Sequence, residues 1–196
     1  MDISEFFDNM SHDLLLKAVD RHVKKKWAKM YIKRWLESPI EDKGGNIRYR
    51  NRTSTPQGGV ISPLLANLFL HYTLDKWLGI KYPQLRFVRD ADDAIIHCNN
   101  QAQAEIVLQA IKQRMIECGL EVNEKKTKIA YCKNANRKGN CKSVKFDFLG
   151  FTFQPRPTST KDGQMFLGFS CAISTKSKKK IIEVLRKSNF QRWTRK

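Results

Sequence analysis

The sequence predicts an α+β fold in which a largely antiparallel sheet packs on helices. Helical and strand-like patterns are mixed along the chain, without the regular βαβ order of a parallel sheet. Two apolar runs flank a short acidic turn near Ala91, which is typical of an antiparallel hairpin. The chain has 196 residues, 41% of them hydrophobic, which is enough for one domain with a core and a small appendage.

The first predicted elements are a short strand and a long basic helix. The apolar stretch from Asp2 to Phe7 indicates a strand or the end of one, and Ser11 indicates the N-cap of a helix that begins near His12. The apolar face of this helix consists of Leu14, Leu15, Ala18, Val19, Val23, Trp27 and Met30. The opposite face predicts either a solvated surface or a phosphate contact, and consists of Arg21, Lys24, Lys25, Lys26, Lys29, Lys33 and Arg34.

A loop-rich segment and a strongly apolar helix follow. Residues 39–59 contain the turn signal Gly44-Gly45, and residues 47–50 predict half of a hairpin. Ser62 and Pro63 predict the N-cap and first residue of the next helix. Residues 64–77 are so apolar that this helix must be largely buried.

The remaining elements are predicted from apolar periodicity and from turn residues. Residues 85–98 predict two strands joined by a tight acidic turn. Residues 101–118 predict an amphipathic helix that ends before Gly119, with Ala104, Val107, Leu108, Ile111 and Met115 facing inward. Further strands are predicted at residues 120–122, 129–132, 146–153 and 165–172, followed by a basic helix at residues 175–189.

The charge of the chain indicates a polyanionic partner. The formal net charge is +18 and the isoelectric point is about 9.9. Such an excess repels itself in a folded chain, which favours nucleic acid over an acidic membrane surface or a merely soluble basic protein. The five cysteines are odd in number and form no CxxC pair. They predict neither a zinc site nor a disulfide framework, and they favour a cytoplasmic location.

Three aspartates carry the chemistry that the sequence suggests. Asp92 and Asp93 lie at the predicted hairpin turn, where neighbouring carboxylates between apolar strands repel each other. A divalent cation with oxygen ligands, such as Mg²⁺, Mn²⁺ or Ca²⁺, offsets this repulsion. Neighbouring strand residues point to opposite faces, so a third carboxylate is needed, and Asp2 is the candidate. An isolated pair of aspartates is usually a solvated turn, so the hypothesis depends on further motifs.

Five motifs occur in one order between residues 2 and 151. They are DISEFFDN from Asp2, TPQGGVISPLLANLFL from Thr55, RFVRDADDAII from Arg86, GLEVNEKKT from Gly119 and FDFLGF from Phe146. Together they resemble the motifs of reverse transcriptase/maturases encoded by group II introns, with RFVRDADDAII similar to the YxDD box. The stretch PQGGVISPLLAN is the most diagnostic of these segments.

The resemblance implies a polymerase palm that copies RNA into DNA with two Mg²⁺ ions, or with Mn²⁺. It implies that Asp2 and Asp92 are the main metal ligands, that Asp93 assists, and that Ile3 offers a backbone carbonyl. Phe7 would be the steric gate that excludes a ribose 2′-hydroxyl, although core packing also explains an aromatic residue there. The implied nucleotide contacts are Gln57, Gly58 and Lys126, and the implied primer-side residues are Phe148, Leu149 and Gly150. Lys126 is equally well explained as a surface lysine in a basic stretch.

Basic residues along the chain form the predicted nucleic-acid surface. They include Lys24, Lys25, Lys125, Lys128, Arg137, Lys138, Lys178 and Lys179. Aromatic residues near them, Tyr131, Phe190 and Trp193, stack on bases or simply pack. The implied partners are an RNA template, a DNA primer, deoxynucleoside triphosphates and group II intron RNA, with no membrane partner. The oligomeric state is left open, a dimer included.

The sequence departs from the family pattern in three ways. Asp90 stands where the YxDD box has tyrosine, and its charge beside the other acids predicts reduced or absent polymerase activity. The motifs begin at Asp2, so the fingers are expected to lie upstream. We expect residues 1–172 to form the palm and residues 173–196 to begin a thumb or maturase region, and the third departure is that the sequence ends inside that region.

Other functions remain open on the sequence alone. A non-catalytic maturase would bind intron RNA through its basic surface without using the metal site. A retron, diversity-generating or CRISPR-associated reverse transcriptase is a further alternative, which the group II character of PQGGVISPLLAN disfavours. An unrelated two-metal nuclease would need all five motifs to arise by accident.

Overall fold

The structure is a computed structural model. It describes residues 1–41, 44–45, 47–48, 53, 59–137, 139, 141 and 143–188. Gln57, Gly58, Lys138, Phe190 and Trp193 lie outside the described residues, as do several other residues of the segment that begins at Thr55.

Helices and short antiparallel strands alternate irregularly along the chain, as the α+β prediction requires. The helices are α1 (Phe6–Asn9), α2 (His12–His22), α3 (Lys26–Glu37), α4 (Ser62–Leu70), a π-helical turn (His71–Asp75), α5 (Lys76–Lys81), α6 (Gln101–Glu117) and α7 (Thr175–Ser188). The strands are β1 (Ile3–Ser4), β2 (Ile40–Glu41), β3 (Ile47–Arg48), β4 (Arg86–Asp90), β5 (Asp93–His97), β6 (Glu121–Val122), β7 (Phe146–Phe148), β8 (Phe151–Ser159) and β9 (Met165–Ile173). None of the helices described is both long and apolar enough to cross a membrane.

The N-terminal segment is shorter as a strand, and more helical, than its composition predicts. Strand β1 ends at Ser4, and Glu5 has a φ of 44°, which turns the chain directly into α1. The predicted strand over Phe6 and Phe7 is therefore wrong. Phe6 is buried and packs on Phe69 with ring centroids 6.2 Å apart, so helix packing decides this segment.

The predicted long basic helix is two helices. The Ser11 hydroxyl accepts a hydrogen bond from the Leu14 amide at 3.4 Å, which confirms the predicted cap of α2. An extended Val23 ends α2, and α3 begins at Lys26 after three residues that are not helical. The apolar face therefore does not continue, and Trp27 is 64% exposed instead of lying with the face of α2.

The middle of the chain supplies a large part of the core. Helix α4 begins at Ser62 after the N-cap Ile61, one residue earlier than predicted. Helix α4, the π-helical turn and α5 bury a row of apolar residues: Leu65, Ala66, Phe69, Leu70, Leu74 and Leu78. The inward face of α6 adds Val107, Ile111 and Met115, and Gly119, with a φ of 74°, follows the end of that helix as predicted.

Four strand segments are linked around β1. Strands β4 and β5 form the predicted antiparallel hairpin, in which Asp90 lies opposite Asp93. The Ala94 amide donates to the Met1 carbonyl at 2.9 Å, and the Met1 nitrogen donates to the Ala94 carbonyl at 2.8 Å. On its other side, β1 pairs with β6 through Ile3 and Val122. These bonds bring Asp2 between the acidic hairpin and β6.

The C-terminal part of the chain is an antiparallel sheet of β7, β8 and β9 followed by α7. The predicted strand over residues 146–153 is two strands, because Leu149 and Gly150 have positive φ values of 49° and 79° and form a turn. The predicted strand over residues 129–132 is wrong. There the Tyr131 amide donates to the Ser143 carbonyl at 2.8 Å in an irregular loop.

The contacts divide the chain into two compact units. The first is Met1–Thr127 and the second is Lys128–Lys196. Every buried apolar side chain in the described part of the chain lies at or before Val122. The expected palm boundary at residue 172 stays a prediction.

Candidate active site

A cavity of about 420 Å³ opens at the N-terminal end of the first unit. It is lined by Asp2, Ile3, Ser4, Glu5, Phe6, Phe7, Asp92, Asn123 and Lys126. Residues from three distant segments of the sequence therefore meet at one place. Five of the predicted metal and nucleotide residues are among them: Asp2, Ile3, Phe7, Asp92 and Lys126.

Asp2 is the buried acid of this cavity. It is 7% exposed, and its Oδ2 atom has no hydrogen-bond donor among the described residues apart from the ion-paired Lys126. The Nζ of Lys126 lies 3.0 Å from that oxygen. A buried carboxylate requires a counter-charge, and here a largely exposed lysine supplies it.

Backbone bonds hold the loop that carries Lys126 against Asp2. The Asn123 amide donates to the Asp2 carbonyl at 2.9 Å, and the Asp2 amide donates to the Thr127 hydroxyl at 3.2 Å. The Asn123 side-chain oxygen accepts from the amides of Lys125 at 3.2 Å and Lys126 at 3.3 Å, as an Asx turn does. The position of Lys126 is therefore determined by the fold of the segment.

The acidic turn presents Asp92 to the cavity. Ala91 and Asp92 connect β4 to β5, and Ala91 has a φ of 49°. Positive φ at the first turn position matches the twist of a two-residue hairpin but is costly for a residue other than glycine. Asp92 is half-buried, whereas Asp90 and Asp93 are exposed at the ends of their strands.

The electrostatics of the turn reflect its acids. Partial burial raises the pKa of Asp93 above its ordinary value, and the charges of Asp2 and Asp92 raise it further. Contact with the Asp2 carboxylate and the charge of that carboxylate raise the pKa of Lys126. The charge of Asp2 therefore acts on Asp93 although the two residues are about ninety positions apart in the sequence.

The carboxylate oxygens are suitable ligands for a divalent cation, but the described side chains do not form a complete coordination site. Within the described ranges, no three His, Cys, Asp or Glu side chains are grouped closely enough to hold a metal ion as they stand. Two carboxylates, those of Asp2 and Asp92, nevertheless line one cavity, and the buried Asp2 Oδ2 has Lys126 as its polar contact among the described residues. Oxygen donors of this kind fit Mg²⁺ or Mn²⁺.

Phe7 lies at the cavity, whereas the predicted primer-side residues lie in the second unit. Phe7 is half-buried at the cavity with its ring centroid 5.3 Å from that of Phe6. The primer-side residues Phe148, Leu149 and Gly150 lie in the second unit, at the turn between β7 and β8. Gly150 has a positive φ that favours glycine, and a Cβ there would come within 2.8 Å of the Ser177 hydroxyl, which would have to move.

The predicted nucleic-acid residues are exposed wherever the structure describes them. Lys24 and Lys25 precede α3, and Lys178 and Lys179 lie on α7. The remaining exposed members are Lys125, Lys128 and Arg137.

Comparison with known proteins identifies the family of the chain. Residues 1–153 match the family model described as "Reverse transcriptase (RNA-dependent DNA polymerase)". The chain belongs to the reverse transcriptase family. All of the residues that line the cavity fall within the matched range.

The relatives support the group II intron resemblance. "Group II intron-encoded protein LtrA" of Lactococcus lactis subsp. cremoris is 34% identical over 95 residues, which cover 48% of this chain and 15% of that protein. "Putative COX1/OXI3 intron 2 protein" of Saccharomyces cerevisiae is 35% identical over 83 residues, or 42% of this chain and 9% of that protein. "Putative COX1/OXI3 intron 1 protein" of the same organism is 22% identical over 205 residues, or 89% of this chain and 24% of that protein. The chain thus spans less than a quarter of the length of these relatives.

Sequence reasoning missed several residues that build the site. Asn123 lies inside the motif GLEVNEKKT, and its spacing before Lys125 and Lys126 is the sequence signal of an Asx turn. Arg89 and Asp75 hold the acidic turn through contacts that no local pattern indicates, because fourteen residues separate them.

Proposed function

We propose that this chain is the palm region of a group II intron-type reverse transcriptase, an RNA-directed DNA polymerase that uses two Mg²⁺ ions. The observation that carries the proposal is the meeting of Asp2, Asp92 and Lys126 at one cavity. Two divalent ions about 4 Å apart activate a 3′-hydroxyl and stabilise the departing pyrophosphate in enzymes of this chemistry. Membership of the family and the group II intron relatives support this assignment.

Each cavity residue has a role in this proposal. Asp2 and Asp92 hold the metal ions, and Asp93 adds negative charge beside them. Phe7 forms the wall against which a deoxyribose fits and a ribose 2′-hydroxyl does not. Lys126 pairs with Asp2 in the structure at 3.0 Å, and in this proposal it binds the triphosphate of an incoming nucleotide.

Asp90 reduces the activity of this site in our proposal. It is exposed and lies directly across the hairpin from Asp93, so it adds charge at the mouth of an already acidic turn. Negative charge there repels the triphosphate and the primer backbone. The aromatic surface that a tyrosine would offer to a nucleotide is also missing.

Primer extension on an RNA template tests the proposal. We expect Asp90→Tyr to raise Mg²⁺-dependent extension at least about tenfold over the unaltered chain. A tenfold increase in rate corresponds to lowering the activation free energy by about 1.4 kcal/mol. Asp90→Asn is the matched control, which removes the charge without adding a ring. Equal extension by the unaltered chain would refute the impairment, and extension that survives Asp2→Asn would refute the polymerase site.

A second candidate function, RNA binding without catalysis, is favoured by α3. Trp27, Tyr31 and Trp35 form an exposed ladder along this helix, 64%, 46% and 48% exposed. Their neighbouring ring centroids lie 6.4 and 6.2 Å apart. Exposed aromatic rings at this spacing offer stacking surfaces to unpaired bases.

The charges of α3 point the same way. Lys24, Lys25 and Lys26 lie at the N-terminal end of the helix, where the helix dipole disfavours positive charge and no side chain caps the backbone. Stability does not explain lysines at that end. A phosphate backbone beside the aromatic ladder does explain them, because it binds both the lysines and the exposed amides.

Fluorescence anisotropy with a single-stranded RNA oligonucleotide separates this function from polymerisation. We expect Trp27→Leu/Tyr31→Leu/Trp35→Leu to weaken binding at least about tenfold, since each stacked base contributes roughly 1–3 kcal/mol. Ile106→Ala/Ile116→Ala, which alters exposed apolar residues of α6, is the control. Equal losses in both variants would show that the ladder does not bind RNA.

A further inference from the structure

Arg89 lies at the centre of a hydrogen-bonded cluster behind the acidic turn. Its Nε and Nη2 atoms donate to the two carboxylate oxygens of Asp75 at 2.8 and 2.7 Å. Its Nη1 donates to the side-chain oxygen of Asn67 and to the carbonyl of Ala91, both at 2.9 Å. The side chains of Arg89 and Asp75 are 10% and 20% exposed, so this pair is partly shielded from water, whereas the contacts of Arg89 with Asn67 and Ala91 are exposed.

The turn that Arg89 contacts needs support from outside itself. Ala91 has a φ of 49°, which a residue with a Cβ adopts only where its surroundings hold it there. The carbonyl that Arg89 binds belongs to this residue, and the next residue is Asp92. An exposed two-residue turn offers few other bonds that could fix the direction of Asp92.

The π-helical turn supplies the other end of the cluster. A π-helical turn inserts an extra residue into a helix and rotates the residues after it, and such turns occur often at functional sites. Here it ends with Asp75, and the carbonyl of Thr73 within it accepts from Arg114 Nε at 3.1 Å. The Thr73 hydroxyl donates to the Phe69 carbonyl at 3.1 Å. The position of Asp75 is therefore fixed by the hydrogen bonds of the helical segment that contains it, and not by a surface loop.

We propose that the Arg89–Asp75 pair is a positioning clamp that holds the Ala91–Asp92 turn in its metal-binding geometry. This inference rests on the proposed function for what the turn binds, but the clamp itself is a property of the fold. The bidentate pair keeps the guanidinium plane fixed, because both partners are planar and their two bonds are parallel. The fixed guanidinium then restrains the Ala91 carbonyl, and through it the direction of Asp92.

Two measurements on the intact protein test the clamp. The first is hydrogen–deuterium exchange at the amides of residues 90–93, and the second is Mn²⁺ binding followed by electron paramagnetic resonance. Arg89→Gln should speed exchange in the turn about tenfold and weaken Mn²⁺ affinity about tenfold, the lower end of the loss seen when residues behind metal ligands are removed. Arg89→Lys keeps the positive charge but cannot form the two parallel hydrogen bonds to Asp75. It should therefore reverse less than half of the change in exchange rate or in Mn²⁺ affinity.

Matched variants separate positioning from general destabilisation. Arg86→Gln changes an exposed arginine of the same strand and should leave both readouts unchanged. Asp75→Asn removes the charge of the partner while keeping its shape, and should change both readouts in the direction of Arg89→Gln. It also provides a test if Arg89→Gln does not fold. The double variant Arg89→Gln/Asp75→Asn should be no worse than Arg89→Gln alone, because the two residues act as one unit.

The outcomes distinguish the clamp from the proposed function. Unchanged exchange at residues 90–93 in both Arg89→Gln and Asp75→Asn would overturn the clamp. Faster exchange together with no Mn²⁺ binding by the unaltered protein would support the clamp and count against the metal site. Faster exchange with unchanged Mn²⁺ affinity would overturn the link from the clamp to Asp92.

Discussion

The two units of the chain use their residues in opposite ways. The first unit buries a continuous apolar core and places one carboxylate, Asp2, at the edge of that core with 7% exposure. The second unit has no buried apolar side chain among its described residues, and Ser174 is its one buried residue there. Its sheet is held by backbone pairing and by half-buried rings such as Phe146 and Phe153, whose centroids lie 5.0 Å apart.

This difference indicates that the first unit is suited to holding side chains in fixed positions and the second unit to presenting exposed charge. A site that holds metal ions needs carboxylates fixed within fractions of an ångström, which only a packed unit provides. A surface that follows a nucleic-acid backbone needs exposed positive charge and tolerates mobility. Helix α7 has no buried residue and carries its basic side chains in water, which suits the second role and not the first.

The largest effect should come from removing the buried acid of the first unit. In the Asp90→Tyr variant, we expect Asp2→Asn to lower Mg²⁺-dependent primer extension by more than about 100-fold, since even residues behind metal ligands cost 10–100-fold. Asp162→Asn, at an exposed position between β8 and β9, should leave the rate within about twofold, as expected of a surface change away from the site. Similar losses of primer extension in Asp2→Asn and Asp162→Asn would contradict the proposal that the metal site lies in the first unit.

Neutralising charge on the second unit should weaken RNA binding by a smaller factor. Lys178→Gln/Lys179→Gln removes two exposed charges of α7, and should reduce the slope of log affinity against log salt by about 1.4 for a single strand. Lys17→Gln/Arg86→Gln makes the same charge change on the first unit and should leave the slope nearly unaltered. A slope that falls equally in both would mean that only net charge matters.

The next effect concerns the ion pair between Lys126 and Asp2 in the cavity. Lys126→Met should lower the melting temperature by several degrees in EDTA, because the buried Asp2 oxygen loses the cation that contacts it. Adding Mg²⁺ should close most of this gap, since the metal ion replaces the lysine. Lys128→Met, two residues further on, should have neither effect, and a gap that Mg²⁺ does not close would argue against metal binding at Asp2.

The smallest effect should come from Asp93. Its pKa is raised in the folded chain, so the folded state is stabilised by its protonated form and loses that stability as pH rises through the folded pKa. Asp93→Asn should therefore raise the melting temperature by about 2 °C above that pH, a shift that corresponds to less than 1 kcal/mol in a chain of this size. The gain should vanish below the ordinary pKa of 3.8. If Asp93→Asn still raises the melting temperature below this pH, the gain would come from packing and not from the charge of Asp93.

The fold could be predicted where local patterns decide it. The hairpin over residues 86–97 is fixed by two apolar runs and a two-residue turn, and helix α6 by its apolar spacing and its stop Gly119. The segment at Phe6 and Phe7 could not be predicted, because packing on Phe69 overrides the strand propensity of aromatic residues. The break between α2 and α3 was missed because the apolar spacing continues through it to Trp27.

The candidate site could be predicted only in part, for a physical reason. The motifs name Asp2, Asp92 and Lys126, whose segments the sheet bonds bring together. The support around them, above all Arg89 and Asp75, depends on contacts between elements, and no periodicity encodes such contacts. Sequence motifs therefore identify the residues that meet a substrate more readily than those that hold them in place.

The central claim is that Asp2 and Asp92 bind one divalent cation although ninety residues separate them in the sequence. Fe²⁺-mediated hydroxyl-radical cleavage of the protein, with fragments located by mass spectrometry, tests it most directly. We predict cuts near both residue 2 and residue 92, suppressed by excess Mg²⁺ and absent in Asp2→Asn. Cuts at only one of these segments, or at sites that Asp2→Asn leaves unchanged, would contradict the account.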